Sequence, residues 1–158
     1  MRSIDAVSDV KTTKTGSGLR RSAIDLNVVA TSHVEVLRRL GALAAGCCDG
    51  IDAASVTSAL LARERLGSTM LIPGVALPHA RLQGLDEALV CCVRLLDPVR
   101  VDEGELNLAI CILVPETEPA LHLDLLRYWA SLLRQADRVG ALLCASSAER
   151  FLALTKEA

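Results

Sequence analysis

Apolar residues recur along this chain with helical spacing near both ends and in short unbroken runs in the middle. Between residues 32 and 46 they return every three or four positions, which predicts a helix. Ser32 and Glu35 have the spacing of a capping box at its start. A second helix is predicted from Asp52, a favourable N-cap, to about Gly67. Arg63 then lies in or near the last turn of that second helix.

The middle of the chain changes to a strand-like pattern. Residues 75–77 predict a short strand. Pro78 should end it, because proline lacks the amide hydrogen that a neighbouring strand would accept. His79 is therefore predicted to stand where a strand ends, which is a stiff mount for a reactive side chain.

Two longer apolar runs follow, at residues 88–95 and 106–114. They are rich in Val, Ile, Leu and Cys, which is typical of strands covered on both faces. Turns are predicted between the runs, at residues 97–98 and 102–105. The strand order is not predicted by these patterns.

Helical spacing returns in the last third of the chain. Pro119 suits the first turn of a third helix, whose opening turn contains His122. Asp137 predicts a short fourth helix, and Ser146 with Glu149 predicts a capping box for a fifth. Helices on either side of buried strands favour an α/β fold, a three-layer sandwich in which helices cover both faces of a mixed β-sheet.

The chain of 158 residues has the length of one ordinary domain. Residues 1–23 are polar and lack periodicity, which predicts a flexible leader, and residues 24–158 are predicted to form the domain. Apolar residues make up 51% of the sequence but aromatic residues only 2%, so aliphatic side chains should fill the core.

Composition also limits the partners. A formal net charge of −2 gives no basic surface for a nucleic acid, and few aromatic side chains are present to stack on bases. No apolar run approaches the roughly 20 residues that span a bilayer, so membrane insertion is not predicted. The first residues lack the apolar segment of a secretory signal, which indicates the cytoplasm.

The six cysteines are predicted to be reduced core residues. They include no C-x-x-C pair and no zinc-ligand spacing, so no metal is expected. Nucleotide-binding motifs of the G-x-x-x-x-G-K-[ST] and G-x-G-x-x-G kinds are also absent from the sequence, and no cofactor is predicted.

The candidate chemistry centres on His79, whose neutral imidazole could attack phosphorus and hold a phosphoryl group as a phosphoramidate. The planar guanidinium of Arg63 could neutralise the phosphoryl oxygens. Ser68 and Thr69 could add hydroxyl donors. His122, at the start of a helix, lies where the macrodipole favours an anion.

Each residue also has a simpler interpretation. A histidine after proline is often a solvated turn residue, an arginine at a helix end is often a solvated cation, and a histidine in a first turn is often a surface residue. His33 is interpreted as such a polar residue at a helix start, since no second feature accompanies it.

Three motifs resemble one protein family. Residues 63–69 read RERLGST, residues 74–80 read GVALPHA, and residues 122–126 read HLDLL. In this order they resemble the fructose/mannitol (type 2) class of enzyme IIA of the phosphotransferase system (PTS). The resemblance runs from about Ile24 to the C-terminus, and the chain length resembles the nitrogen-regulatory branch.

The resemblance implies a function for the candidate residues. His79 would be the phosphorylated residue, through Nε2, and Arg63 and His122 would stabilise the phosphoryl group, with Ser68 and Thr69 as further phosphate contacts. The donor would be an HPr-like phosphocarrier, and the partners would be regulated target proteins. Neither a metal nor a nucleotide would be needed on this chain.

Two alternatives remain open. The same site would suit a sugar-transport enzyme IIA that donates to a fructose/mannitol-type IIB domain. A binding module that has lost transfer is suggested by residues 70–73, which read MLIP where the family usually has a glycine-rich link. Pro73 restricts the residue before it, so this segment should be stiffer than in the family.

Overall fold

The structure, a computed structural model, describes residues 16–156, in which six strands and five helices alternate in blocks. The strands are β1 (Leu19–Val28), β2 (Met70–Ile72), β3 (Gly74–Ala76), β4 (His79–Leu82), β5 (Leu89–Val101) and β6 (Gly104–Pro115). The helices are α1 (His33–Cys47), α2 (Ala53–Glu64), α3 (Pro119–Leu133), α4 (Ala136–Cys144) and α5 (Ala148–Thr155).

All six strands form one mixed sheet of order β1-β5-β6-β3-β2, with β4 also paired to β6. β1 is parallel to β5, β5 is antiparallel to β6, and both β3 and β4 run parallel to β6. β3 pairs with the first half of β6 and β4 with the second half. The two short strands therefore form one interrupted line along β6, and His79 lies at the interruption.

Helices cover both faces of this sheet, as the apolar patterns predicted. Buried residues of α1 and α2, such as Leu40 and Leu60, form one core with the sheet. Buried residues of α3, α4 and α5, such as Trp129 and Phe151, form the other core. The predicted three-layer α/β sandwich is confirmed.

Local side-chain caps begin three of the helices. Ser32 accepts from the Glu35 amide (3.2 Å) and Asp52 accepts from the Ser55 amide (2.8 Å), as predicted. The predicted cap at Ser146 is wrong by one residue, because Ser147 accepts from the Arg150 amide. These hydrogen bonds satisfy amides that the first turn leaves without a partner.

The turn predicted at Asp97-Pro98 is also wrong. β5 continues to Val101, and Leu96, Asp97 and Pro98 form an exposed irregularity between Arg94 and Val99. Pairing with β6 resumes beyond it, so proline is tolerated where the strand has left the ladder.

The boundary between leader and domain lies earlier than residue 24. β1 begins at Leu19, and Ser17 is buried where its carbonyl accepts from Trp129 Nε1 (2.8 Å). The hydroxyl of Thr155 lies 3.3 Å from that of Ser17. These contacts join the start of β1 to α3 and α5, while residues 1–15 of the predicted leader lie outside the described residues.

The cysteines differ in burial, and Cys47 and Cys48 are half-buried. Cys91, Cys92 and Cys111 are buried in the sheet, as predicted, and burial raises the pKa of each thiol. Cys144 is exposed, contrary to the prediction of a core position. Within residues 16–156 no helix combines the length and apolar character that crossing a bilayer would require.

Candidate active site

His79 lies at the break between β3 and β4 and begins β4. The sequence pattern placed it at a strand end, but the chain stays beside β6 because the Pro78 carbonyl accepts from the Ile112 amide (2.9 Å). The Nδ1–H of His79 donates to the Leu77 carbonyl at 2.8 Å. Because a carbonyl only accepts, this contact places the proton on Nδ1 and leaves a lone pair on Nε2.

Arg63 faces that lone pair from the last turn of α2. Its Nε donates to His79 Nε2 at 3.0 Å, and its Nη1 donates to the Gly67 carbonyl at 2.9 Å. Gly67 has a φ of +148°, which permits the sharp exit of the chain from α2. The guanidinium is thus held at two points, with its cationic group next to the imidazole.

His122 approaches His79 from the first turn of α3. The two ring centroids are 5.2 Å apart and the ring planes meet at 69°. The Nε2 atom of His122 is buried and has no hydrogen-bond partner within residues 16–156. The structure therefore brings together three of the residues that the sequence singled out, Arg63, His79 and His122.

Both imidazoles are shifted toward the neutral form. Burial lowers the pKa of His79, the hydrogen bond to Leu77 opposes this shift, and the Arg63 cation adds to it. Burial also lowers the pKa of His122, and the charges of His79, Arg81 and Arg63 act in the same direction. These shifts favour the neutral form of the His79 ring at neutral pH.

We expect the His79 ring to titrate below the usual histidine value of about 6.5. The reactivity of its Nε2 lone pair should stay constant as the pH falls toward that value and decline only in more acidic solution. The unfolded chain binds protons first, so the free energy of unfolding should also start to fall below about pH 6.5 and level off beneath the native pKa values. NMR titration of the His79 ring measures its pKa, and a midpoint above 6.5 would contradict the expected lowering.

Arg63, His79 and His122 line one surface groove, and further residues line it as well. They are Ala59, Ala62, Leu66, Ala80, Arg81, Glu116 and Thr117. Arg81 was not predicted, although strand alternation two residues after His79 places both side chains on one face. Glu116 and Thr117 follow the end of β6. They lie near His79 because β4 pairs with the second half of β6, a pairing that the sequence does not show.

Ser68 and Thr69 do not line this groove. They lie in a smaller adjoining pocket that His79 and Leu71 also line. The Ser68 hydroxyl accepts from the Met70 amide at 3.0 Å, and the Thr69 hydroxyl donates to the Glu64 carboxylate. The Thr69 hydroxyl hydrogen is therefore used at the end of α2, whereas the Ser68 hydroxyl uses only its oxygen in this contact.

The glycine-rich link expected from the family is replaced by a strand. Met70–Ile72 forms β2, which pairs with β3 in antiparallel register. Pro73 and Gly74 connect them, and Gly74 has a φ of +88°, as the second central residue of a tight turn requires. Residues 70–73 are thus ordered beside the site.

His33 lies outside the groove, with its Nε2 4.0 Å from Glu64 Oε1. Within the described residues 16–156, no group of three or more His, Cys, Asp or Glu side chains is arranged to hold a metal ion.

Comparison with known proteins places this geometry in a family. Residues 18–158 match the family model described as "Phosphoenolpyruvate-dependent sugar phosphotransferase system, EIIA 2". A nitrogen regulatory protein of Pseudomonas aeruginosa is 36% identical over 127 residues, which cover 78% of this chain and 82% of that protein. A fructose-like EIIA component of Escherichia coli is 30% identical over 64% of this chain and 70% of its own length.

Solved structures show the same fold. The crystal structure of nitrogen regulatory protein IIA-Ntr from Neisseria meningitidis has a TM-score of 0.80 and 33% identity, covering 87% of this chain and 95% of that one. The mannitol IIA of Escherichia coli has a TM-score of 0.71 and 21% identity, covering 86% and 97%. The chain therefore belongs to the EIIA type 2 family of the phosphoenolpyruvate-dependent sugar phosphotransferase system and is a phosphotransfer component, as its motifs predicted.

Proposed function

We propose that His79 accepts a phosphoryl group on Nε2 from an HPr-like carrier, and that the phosphorylated and free forms bind regulated partner proteins with different affinities. The observation that carries the proposal is the state of the His79 ring. Leu77 holds the proton on Nδ1, while Arg63 Nε lies 3.0 Å from Nε2. Nε2 is therefore both the nucleophilic atom and the atom that the Arg63 cation contacts.

The transfer step follows from these contacts. The Nε2 lone pair forms the new N–P bond, and the bond from phosphorus to the carrier breaks with its electron pair, so His79 needs no general base. Once that lone pair is used, Arg63 Nε–H is free to donate to a phosphoryl oxygen. This is charge neutralisation of the kind that phosphoryl transfer requires.

His122 completes the proposed site. Its unpartnered Nε2 is a donor when the proton resides there, and a phosphoryl group on His79 would supply the acceptor that it lacks. The negative charge of that group would also favour protonation of His122. Arg81, on the same face of β4 as His79, adds a second cation at the exposed side of the groove.

Apolar side chains around the site support docking of a protein donor. Leu66 lines the groove and is 83% exposed, and Leu71 and Leu123 are also exposed. Apolar surface of this kind is typical of protein contact sites. A phosphoryl group on His79 would add about two negative charges, which is enough to change which partner binds.

A regulatory role is favoured over donation to a sugar-specific IIB domain. The nitrogen regulatory relatives are 36% and 33% identical to this chain, whereas the mannitol IIA structures are 18% to 21% identical. One of those structures is a complex of mannitol IIA with phosphorylated mannitol IIB. Rapid discharge of this chain by a fructose/mannitol-type IIB would favour transport instead.

The test is phosphorylation with phosphoenolpyruvate, enzyme I and an HPr-like carrier. We expect one acid-labile phosphoryl group per chain, and ³¹P and ¹⁵N NMR at neutral pH should place it on Nε2 of His79. No label under conditions that phosphorylate another enzyme IIA would refute the proposed function. A label on Nδ1 would refute the assigned ring geometry.

A further inference from the structure

The proposed transfer leaves Glu64 and Thr69 without a role, although both lie beside the reacting ring. The Glu64 carboxylate accepts from the Thr69 hydroxyl. Only 14% of the Glu64 side chain and 7% of Thr69 are exposed, so water competes little for this bond. Glu64 follows Arg63 directly as the last residue of α2.

A line of hydrogen bonds continues from Thr69 to His79. The Thr69 carbonyl accepts from the Leu77 amide at 2.8 Å. The Leu77 carbonyl in turn accepts from His79 Nδ1 at 2.8 Å. Leu77 is thus held on its amide side by Thr69 and restrains His79 on its carbonyl side.

This line matters because Pro78 removes one means of fixing the chain. Proline has no amide hydrogen, so the pairing with β6 lacks a donor at the interruption between β3 and β4, just before His79. The direction of the Leu77 carbonyl must therefore be set from the other side. The Thr69 carbonyl supplies that contact, and the bond between the Thr69 hydroxyl and Glu64 holds Thr69 against the end of α2.

From these contacts we propose that Glu64 and Thr69 are positioning residues, which act through Leu77 to keep the proton of His79 on Nδ1 and the lone pair on Nε2. The end of α2 then controls both ring nitrogens: Arg63 contacts Nε2 directly, and Glu64 acts on Nδ1 through Thr69 and Leu77. This inference rests on the proposed function, and it replaces a phosphate contact by Thr69 with a role before the phosphoryl group arrives.

The first test uses the unphosphorylated protein. Long-range ¹H–¹⁵N NMR of the histidine ring reports which nitrogen carries the proton. We expect wild-type protein and Thr69→Ser to hold the Nδ1–H form, and Thr69→Val to populate the Nε2–H form as well. Thr57→Val is the matched control, because it removes a hydroxyl from α2 that bonds only the Ala53 carbonyl.

The second test measures phosphoryl transfer from the phosphorylated carrier. Thr69→Val should lower kcat about tenfold, as expected for one lost hydrogen bond, with KM for the carrier unchanged because Thr69 is buried. Glu64→Gln keeps an acceptor for the Thr69 hydroxyl and should lower kcat about threefold. Thr69→Ser should restore the wild-type rate.

The outcomes separate this inference from the proposed function. An unchanged His79 tautomer in Thr69→Val refutes the positioning role, even if transfer slows. A wild-type chain that holds the Nδ1–H form but takes up no phosphoryl group refutes the proposed function and leaves the positioning role standing. If Thr69→Val does not fold, Glu64→Ala, which removes the acceptor of the Thr69 hydroxyl, takes its place in both tests.

Discussion

Alanine in place of His79 is expected to abolish phosphoryl uptake and to leave the protein folded. The nucleophile that we propose is the lone pair on Nε2, which two independent contacts orient, at Leu77 and at Arg63. Loss of a nucleophile should reduce transfer by at least about 10⁴-fold. The ring is half-buried, so its removal should lower the free energy of unfolding by only about 1–2 kcal/mol.

The measurement compares labelling with unfolding in denaturant. His33→Ala is the matched control, because it removes the histidine that lies outside the groove and should retain one acid-labile phosphoryl group per chain. Persistent stoichiometric label in His79→Ala, or its disappearance in His33→Ala, would place the nucleophile elsewhere. Equal loss of label and of folded structure would make the variant uninformative, and His79→Gln, which is closer in size, would then replace it.

The features that the sequence predicted well depend on neighbouring residues. The caps at Ser32 and Asp52 require only an amide three residues along the chain. The position of Arg63 near a helix end follows from the extent of one apolar pattern. The grouping of Arg63, His79 and His122 came from the order of the family motifs and not from any local spacing.

The features that were missed depend on distant partners. Pro78 has no amide donor, yet β4 resumes because Ile112 bonds the Pro78 carbonyl across the sheet. Pro98 lies within a strand because β5 bulges away from β6 there and pairs again beyond it. A local rule for proline predicts the lost hydrogen bond but not whether a neighbouring strand restores the pairing.

The positioning role that we propose for Thr69 likewise depends on contacts that the sequence does not show. The sequence shows a hydroxyl near His79 and so predicts a phosphate contact. Only the fold shows that the hydroxyl faces Glu64 and that the backbone of Thr69 holds Leu77. A hydroxyl near a reactive ring can contact its substrate or can help to position the ring, and spacing along the chain does not distinguish these two roles.

Replacement of Arg63 with alanine is expected to slow phosphoryl transfer to His79 by roughly 10²- to 10³-fold, the usual loss for one fixed donor on a developing anion. The side chain is held by Gly67 as well as by His79, so little reorganisation is needed when the phosphoryl oxygens arrive. Lysine keeps the charge but lacks the planar set of donors, and Arg63→Lys should recover only part of the rate. Rapid-quench transfer from the phosphorylated carrier measures both variants.

Arg65 provides the control, because it lies two residues further on and does not line the groove of His79. Arg65→Ala should alter the net charge equally while leaving kcat within about twofold of wild type, since screened surface charges contribute little. The alanine at position 63 has a second expected effect. Without the nearby guanidinium, which now lowers it, the pKa of His79 should rise, so the pH at which transfer declines should rise as well. Equal rates for Arg63→Ala and Arg65→Ala would mean that general surface charge, and not the contact with Nε2, assists the transfer.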